Sequence, residues 1–424
     1  MQKKLNALAL LFTLFIISAC SDDDNESALR DADTAETETE EEEEEEAADT
    51  VPEVTYLLYM VGDSELNSYL TDNITDLKSG YLDTDINANL LIYTDLSDTP
   101  VLYQIKKDEN DSVWQDTVKV YTDQYSTDPD VMAEVISEVF ELYPAERRGI
   151  TFSSHANGSF YTSNTPVKKR SFGSEGEEEY SMNITDMRQA LDSCPHLDMI
   201  MFDACLMGNI ETAYEMKENC DYFLATPNSV PGTGFPYDEI LPSLLLMDEE
   251  GLSAAAEGYM EHYHSNNVKW DDFVAVSVTD VSCLENVAVY LDSLFQSADV
   301  QNRLFYLDRD NLQMFEEGYY LYDVGDWVDS LGTTSQYVEK IHEALEDAIV
   351  YEEHSDYASV SDYGDMLIPV DDARFCGLNT YVPPTNPFYE YTFITYFTML
   401  KWYEDAGFWR ASFYSWFERY QGMI

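Results

Sequence analysis

Two residues whose side chains can make and break acyl bonds each follow an apolar run. His155 comes directly after residues 149–154. Cys205 comes shortly after residues 198–202, in the segment Phe202-Asp203-Ala204-Cys205-Leu206-Met207-Gly208. A cysteine attacks only as its thiolate, and a nearby imidazole or the positive end of a helix favours that form. The pattern after Cys205 predicts a helix over residues 206–217, which would put the cysteine at a helix start. The thiolate would attack a carbonyl; the imidazole would protonate the leaving amine and then activate water. Backbone N–H groups at Ala156, Asn157 and Cys205 could hold the oxyanion, a stabilisation of about 3–4 kcal/mol per donor. The plainer alternative is that Cys205 is inert packing and His155 a satisfied polar group.

The pair needs a scaffold that brings two strand ends together. Buried strands read at residues 54–61, 88–94, 149–154, 198–202 and 222–226. Between them, helices are expected at 64–78, 130–143, 183–191 and 206–217. Ser64 is a candidate cap and Gly80 a stop for the first, and Asp128-Pro129 opens the second. Residues 100–105 and 113–121 read as a hairpin. Alternation of this kind implies a mostly parallel α/β sheet flanked by helices, with ligands beyond the carboxyl ends of its strands. After about residue 245 the pattern turns helix-rich, with helices at 252–263, 281–295 and 337–351 and isolated strands at 273–279 and 378–382. The polar loop 156–182 is long enough to suggest a function or disorder.

Composition narrows the partners. The 424 residues carry 83 acids against 22 bases, a formal net charge of −61. That excludes a protein that grips nucleic acid by its phosphates. Hydrophobic content of 45% is enough for a real core. The charge is densest in residues 20–50, with sixteen acids and only Arg30 opposing them. Lys3, Lys4 and the apolar stretch 5–17 read as an export signal, too short to span a membrane. Its end, Ile17-Ser18-Ala19-Cys20, is similar to the lipobox of bacterial lipoproteins, in which the cysteine is lipidated. The expected organisation is a signal at 1–19, a lipidated Cys20 with an acidic tether to residue 52, a core at 53–245 and a C-terminal subdomain at 246–424. Ser21-Asp22-Asp23-Asp24 resembles a surface-export signal of Bacteroidetes-like lipoproteins. This reading puts the protein on the outer membrane, held by its N-terminal lipid.

The order histidine then cysteine, fifty residues apart, fits caspase-type cysteine peptidases. The segments around them resemble the clostripain family, which has a caspase-like fold. Residues 202–215 (FDACLMGNIETAYE) and 231–238 (PGTGFPYD) are the specific pieces. Residues 56–63 (YLLYMVGD), 153–158 (SSHANG) and 377–383 (GLNTYVP) support them. The resemblance implies Cys205 as nucleophile and His155 as general base and acid, acting on peptides or proteins. It implies Asp203 beside the pocket for the substrate residue before the cut, where a carboxylate favours Lys or Arg; the other reading of Asp203 is a helix cap. Two positions depart from the family. Ala156 stands where many members have glycine, and Thr233 stands where members specific for basic residues can carry a further acid. The triplet Lys168-Lys169-Arg170 falls where the family's zymogens are processed; alternatively it is a solvated basic patch. The rival to an enzyme is a non-catalytic surface lipoprotein that binds through the same cleft.

The remaining features read as bland. His262 and His264, two apart on a helix, face different sides. Cys194, Cys220, Cys283 and Cys376 show no disulfide or zinc spacing. Residues 323–327 (DVGDW) read as a helix start. No cofactor is required by this chemistry, and no metal ligands can be named from spacing. Calcium, which supports some family members, is possible on so acidic a surface.

Overall fold

Every residue of Val54–Val61 is buried, which a strand achieves only when both faces of its sheet are covered. Successive side chains go to opposite faces. Leu57, Tyr59 and Val61 enter one apolar core, and Tyr56, Leu58 and Met60 enter another. The computed structural model describes residues 51–411, except 63–65, 97–98, 109, 123, 160–170, 176–179, 266–272, 306, 317–319, 333, 360–366 and 383–390. Cys20, Ser64 and Lys168 to Arg170 therefore lie outside the described residues.

Among the described residues the main sheet has nine strands. Their order is Ile349–His354, Ala275–Asp280, Cys220–Ala225, Leu197–Asp203, Arg147–Ser153, Val54–Val61, Ala88–Asp95, Val101–Lys107 and Val113–Val120. The five central strands, from Cys220–Ala225 to Ala88–Asp95, are parallel. The two at each edge are antiparallel. Helices Pro129–Leu142, Ile184–Leu191, Leu284–Phe295 and Gln336–Ala348 cover one face. Helices Asn67–Leu82, Tyr237–Leu244 and Glu249–Ser265 cover the other. The mostly parallel, helix-flanked sheet is the one expected. Two strands from beyond residue 245 continue it rather than forming a sheet of their own.

The chain passes from Val54–Val61 outward to the edge hairpin. It then returns through Pro129–Leu142 to Arg147–Ser153 on the other side of Val54–Val61. Such a reversal of winding direction opens a crevice at the carboxyl ends. The return helix starts as its sequence dictates. The Asp128 carboxylate accepts from the N–H of Asp130 at 2.9 Å, and Pro129 takes the first position, where no N–H is needed.

Three expectations need correction. The first helix runs through Gly80 to Leu82. Gly80 faces the helix Tyr237–Leu244 and marks a close helix–helix approach, not an end. The loop 156–182 is not wholly irregular, because Phe172–Glu175 and Tyr180–Met182 pair as a short hairpin. The helix expected from residue 206 begins only at Ile210 and ends at Glu215. Leu206 has a positive φ of 64°, and Gly208 presses on the next strand's exit, so the intervening backbone cannot be helical.

Candidate active site

The ladder between Arg147–Ser153 and Leu197–Asp203 sets the site. It pairs Ser153 with Asp203 in parallel register. His155 and Cys205 each lie two residues further on, so they leave neighbouring strands at the same level. Both are half-buried, at the carboxyl edge next to the winding reversal. The register thus sets the two residues singled out from the sequence just beyond the ends of neighbouring strands.

The histidine segment is held from two sides. The Ser154 hydroxyl donates to the Val61 carbonyl of the adjacent strand. From the other side, the Gly173 N–H donates to the His155 carbonyl at 2.9 Å, and Ala156 bridges Phe172. One oxyanion candidate is corrected by this pairing. The N–H of Asn157 donates to the Ser171 carbonyl at 3.2 Å, so the short strand beside it already engages that donor.

The cysteine sits on a tight loop. Leu206 N–H donates to the Asn228 carbonyl at 2.9 Å and Gly208 N–H to the Thr226 carbonyl at 2.7 Å. A side chain at Gly208 would bring its Cβ within 2.6 Å of the Pro227 nitrogen and the Thr226 carbonyl carbon. Only glycine lets two backbone segments approach so closely. Asn209 closes the loop, donating to the Leu206 carbonyl and accepting from the Thr212 N–H, both at 2.8 Å. The strand Asn379–Tyr381 buttresses it, with Asn379 N–H on the Gly208 carbonyl at 3.0 Å. The helix starts five residues after Cys205, so the cysteine is not at a helix start as the sequence suggested. A local donor is present instead: the Val230 N–H lies 3.3 Å from Sγ.

Asp203 is buried beneath the loop 231–237. Its carboxylate accepts from the Tyr237 hydroxyl at 3.0 Å, from the Phe235 N–H and, at 3.4 Å, from Ser153. Burial pushes it up to about 6, against the pull of those donors. It does not serve as a helix cap. Gly234, with φ of 70°, lies directly on it; a Cβ there would be 2.6 Å from Oδ2. Thr233 is exposed on this loop, and its hydroxyl meets that of Tyr263 at 2.8 Å. Tyr263 donates to the Gly234 carbonyl at 2.7 Å, and the Asn73 amide donates to the Thr233 carbonyl at 3.0 Å. Val230, Tyr237, Tyr263 and Asn73 were not assigned from sequence. The PGTGFPYD motif marked their neighbourhood, but no local pattern reveals a partner dozens of residues away.

The other histidines and cysteines singled out from the sequence have their own surroundings. His262 pairs with Glu239 at 3.0 Å, and His264 with Ser355 at 3.3 Å. Cys194, Cys205, Cys220, Cys283 and Cys376 form no disulfide. Asp323 caps the helix Val324–Ser330 through the Asp326 N–H, as the sequence suggested. Among the described residues, no group of three or more His, Cys, Asp or Glu gathers as a metal-ligand set.

A mostly parallel α/β sheet carrying a cysteine and a histidine on adjacent strand ends is the architecture of the caspase-like cysteine peptidase class. The chain belongs to the clostripain family, whose model matches residues 58–416. It is 26% identical over 221 residues to clostripain from Hathewaya histolytica, covering 44% of this chain. That match spans 41% of clostripain's own length. It is similar to a secreted C11 cysteine protease from Bacteroides thetaiotaomicron solved with an irreversible peptide inhibitor: TM-score 0.73, 26% identity, 84% of this chain and 99% of the other. An inactive zymogen C11 protease from Parabacteroides distasonis gives TM-score 0.72 and 27% identity with the same coverage.

Proposed function

We propose that this chain is a cysteine endopeptidase in which Cys205 attacks the scissile carbonyl and His155 moves the proton. The observation that carries this reading is the Ser153–Asp203 register, which sets both residues two steps beyond paired strand ends. The thiolate adds to the carbonyl, and the oxyanion is held by the amides of Cys205 and Ala156. His155 then protonates the leaving amine, and water activated by the same imidazole releases the acyl group. Asp203 lines the pocket for the substrate residue before the cut and favours Lys or Arg there. Thr233, neutral and exposed on the covering loop, leaves that preference broader than two carboxylates would.

Further parts of the proposal concern the whole protein. The Lys168-Lys169-Arg170 stretch is a self-processing site; the zymogen described for the Parabacteroides relative supports this. Cys20 carries the lipid that tethers the enzyme to the outer membrane, on its outer surface, with acidic residues 21–52 as spacer. The secreted Bacteroides relative supports export. This chemistry requires no cofactor.

The test is a thiol-directed peptide probe on the full chain, with Cys205→Ala and His155→Ala as controls. Labelling of the parent chain alone, with cleavage of Lys or Arg peptides, is expected. Absence of labelling and of cleavage across a peptide panel would favour a binding protein that keeps the fold.

A further inference from the structure

A buried carboxyl cluster lies on the far side of the short strand that holds His155. Glu175 ends the strand Phe172–Glu175 and is 3% exposed; Asp95 ends Ala88–Asp95 and is 8% exposed. The two Glu175 oxygens accept from the N–H groups of Ser126 at 2.7 Å and Thr127 at 2.6 Å. A hydrogen bond joins the Glu175 and Asp95 carboxyl groups. The Ser126 hydroxyl donates to Asp95 at 2.6 Å. The titratable groups facing the pair from adjoining strands are Tyr59 and Tyr93. Tyr59 donates to the Ser126 carbonyl at 2.8 Å, and the Tyr93 hydroxyl meets that of Ser126 at 2.7 Å. Above the cluster, the exposed rings of Tyr125 and Tyr180 pack at 4.2 Å and join the same two segments.

Two carboxyl groups can hydrogen-bond to each other only if one keeps its proton. Two amide donors favour charge on Glu175 while burial and the neighbouring carboxyl oppose it, so the proton belongs to the pair and not to either residue. Burial and the neighbouring carboxyl push Glu175 up to about 8, so the pair retains a proton at neutral pH.

We propose that Asp95 and Glu175 are positioning residues for His155: their shared proton locks the segment 171–175, whose Gly173 N–H and Ser171 carbonyl hold the backbone immediately after the histidine, at its own carbonyl and at the Asn157 N–H. Neither carboxyl group touches substrate. The inference rests on the Cys–His reading only for its effect on catalysis. Once the pair loses its proton, two adjacent buried charges repel and the strand is released.

Hydrogen exchange on the full chain carrying Cys205→Ala tests this without needing turnover. Exchange at Ser126, Thr127 and Gly173, corrected for intrinsic rates, should accelerate at least tenfold between pH 6 and pH 9, a change of about 1.4 kcal/mol. Adding Asp95→Asn should abolish that rise, because its amide donates to Glu175 at every pH. In the catalytically intact chain, Asp95→Asn should extend kcat to higher pH with KM unchanged. Glu175→Ala should lower kcat at least tenfold, and Glu175→Gln should recover part of the loss. Identical pH dependence with and without Asp95→Asn, in exchange and in kcat, overturns the clamp. Exchange as expected in a chain that cleaves no peptide would instead remove the peptidase reading and leave the structural clamp standing.

Discussion

At the scale of single residues, the pocket role proposed for Asp203 sets folding against binding. A buried carboxyl raised to about 6 favours its neutral form in the folded chain. Its ordinary value lies near 4, so stability from this group is full below about pH 4 and declines as pH rises to about 6. The shift corresponds to about 3 kcal/mol. Binding a cationic side chain needs the charged form, so it runs the other way. KM for peptides with Lys or Arg before the cut should rise as pH falls through about 6, while peptides with a neutral residue there should not show that change. A parallel pH series on both substrates checks it. Tyr237→Phe removes one donor to this carboxylate and should cost about 1–3 kcal/mol of stability, read by denaturant unfolding at pH 7.

At the scale of elements, the loop after Cys205 is where local pattern and structure part. The periodicity after Cys205 is helical, yet the helix is delayed to Ile210 because Leu206 and Gly208 are committed to neighbouring backbone. Gly208→Ala should therefore displace the loop. We expect a drop in thermal midpoint together with at least tenfold slower labelling of Cys205, whereas a purely global effect would leave labelling of the folded fraction unchanged. The central strands were legible because burial on both faces writes them as unbroken apolar runs, as at Val54–Val61. The cap at Asp128 was legible because capping is local. His155 and Cys205 were legible as strand-end residues of reactive type. Glu175 and Asp95 were not: one falls in the polar loop 156–182, and the other lies just past the strand expected at 88–94. Their partnership spans eighty residues and exists only after the sheet has formed.

At the scale of the whole molecule, the net charge of −61 attracts cations over distances longer than any contact. Turnover of Lys or Arg peptides at limiting substrate should fall several-fold between low salt and about 0.5 M, where screening is nearly complete. Neutral peptides should be affected little. The strand order has its own outcome at this scale. All strands before residue 160 lie on one side of the Arg147–Ser153/Leu197–Asp203 ladder, and all later strands of the main sheet lie on the other. A break within residues 160–170 therefore divides the molecule into two polypeptides that each own a contiguous half-sheet, one carrying His155 and the other Cys205. Renaturation of the unbroken chain is first order. Renaturation of the broken one becomes an encounter between two species, so recovered activity should grow with protein concentration and vanish on dilution, and an inactive His155→Ala fragment added in excess should poison it by capturing the partner half.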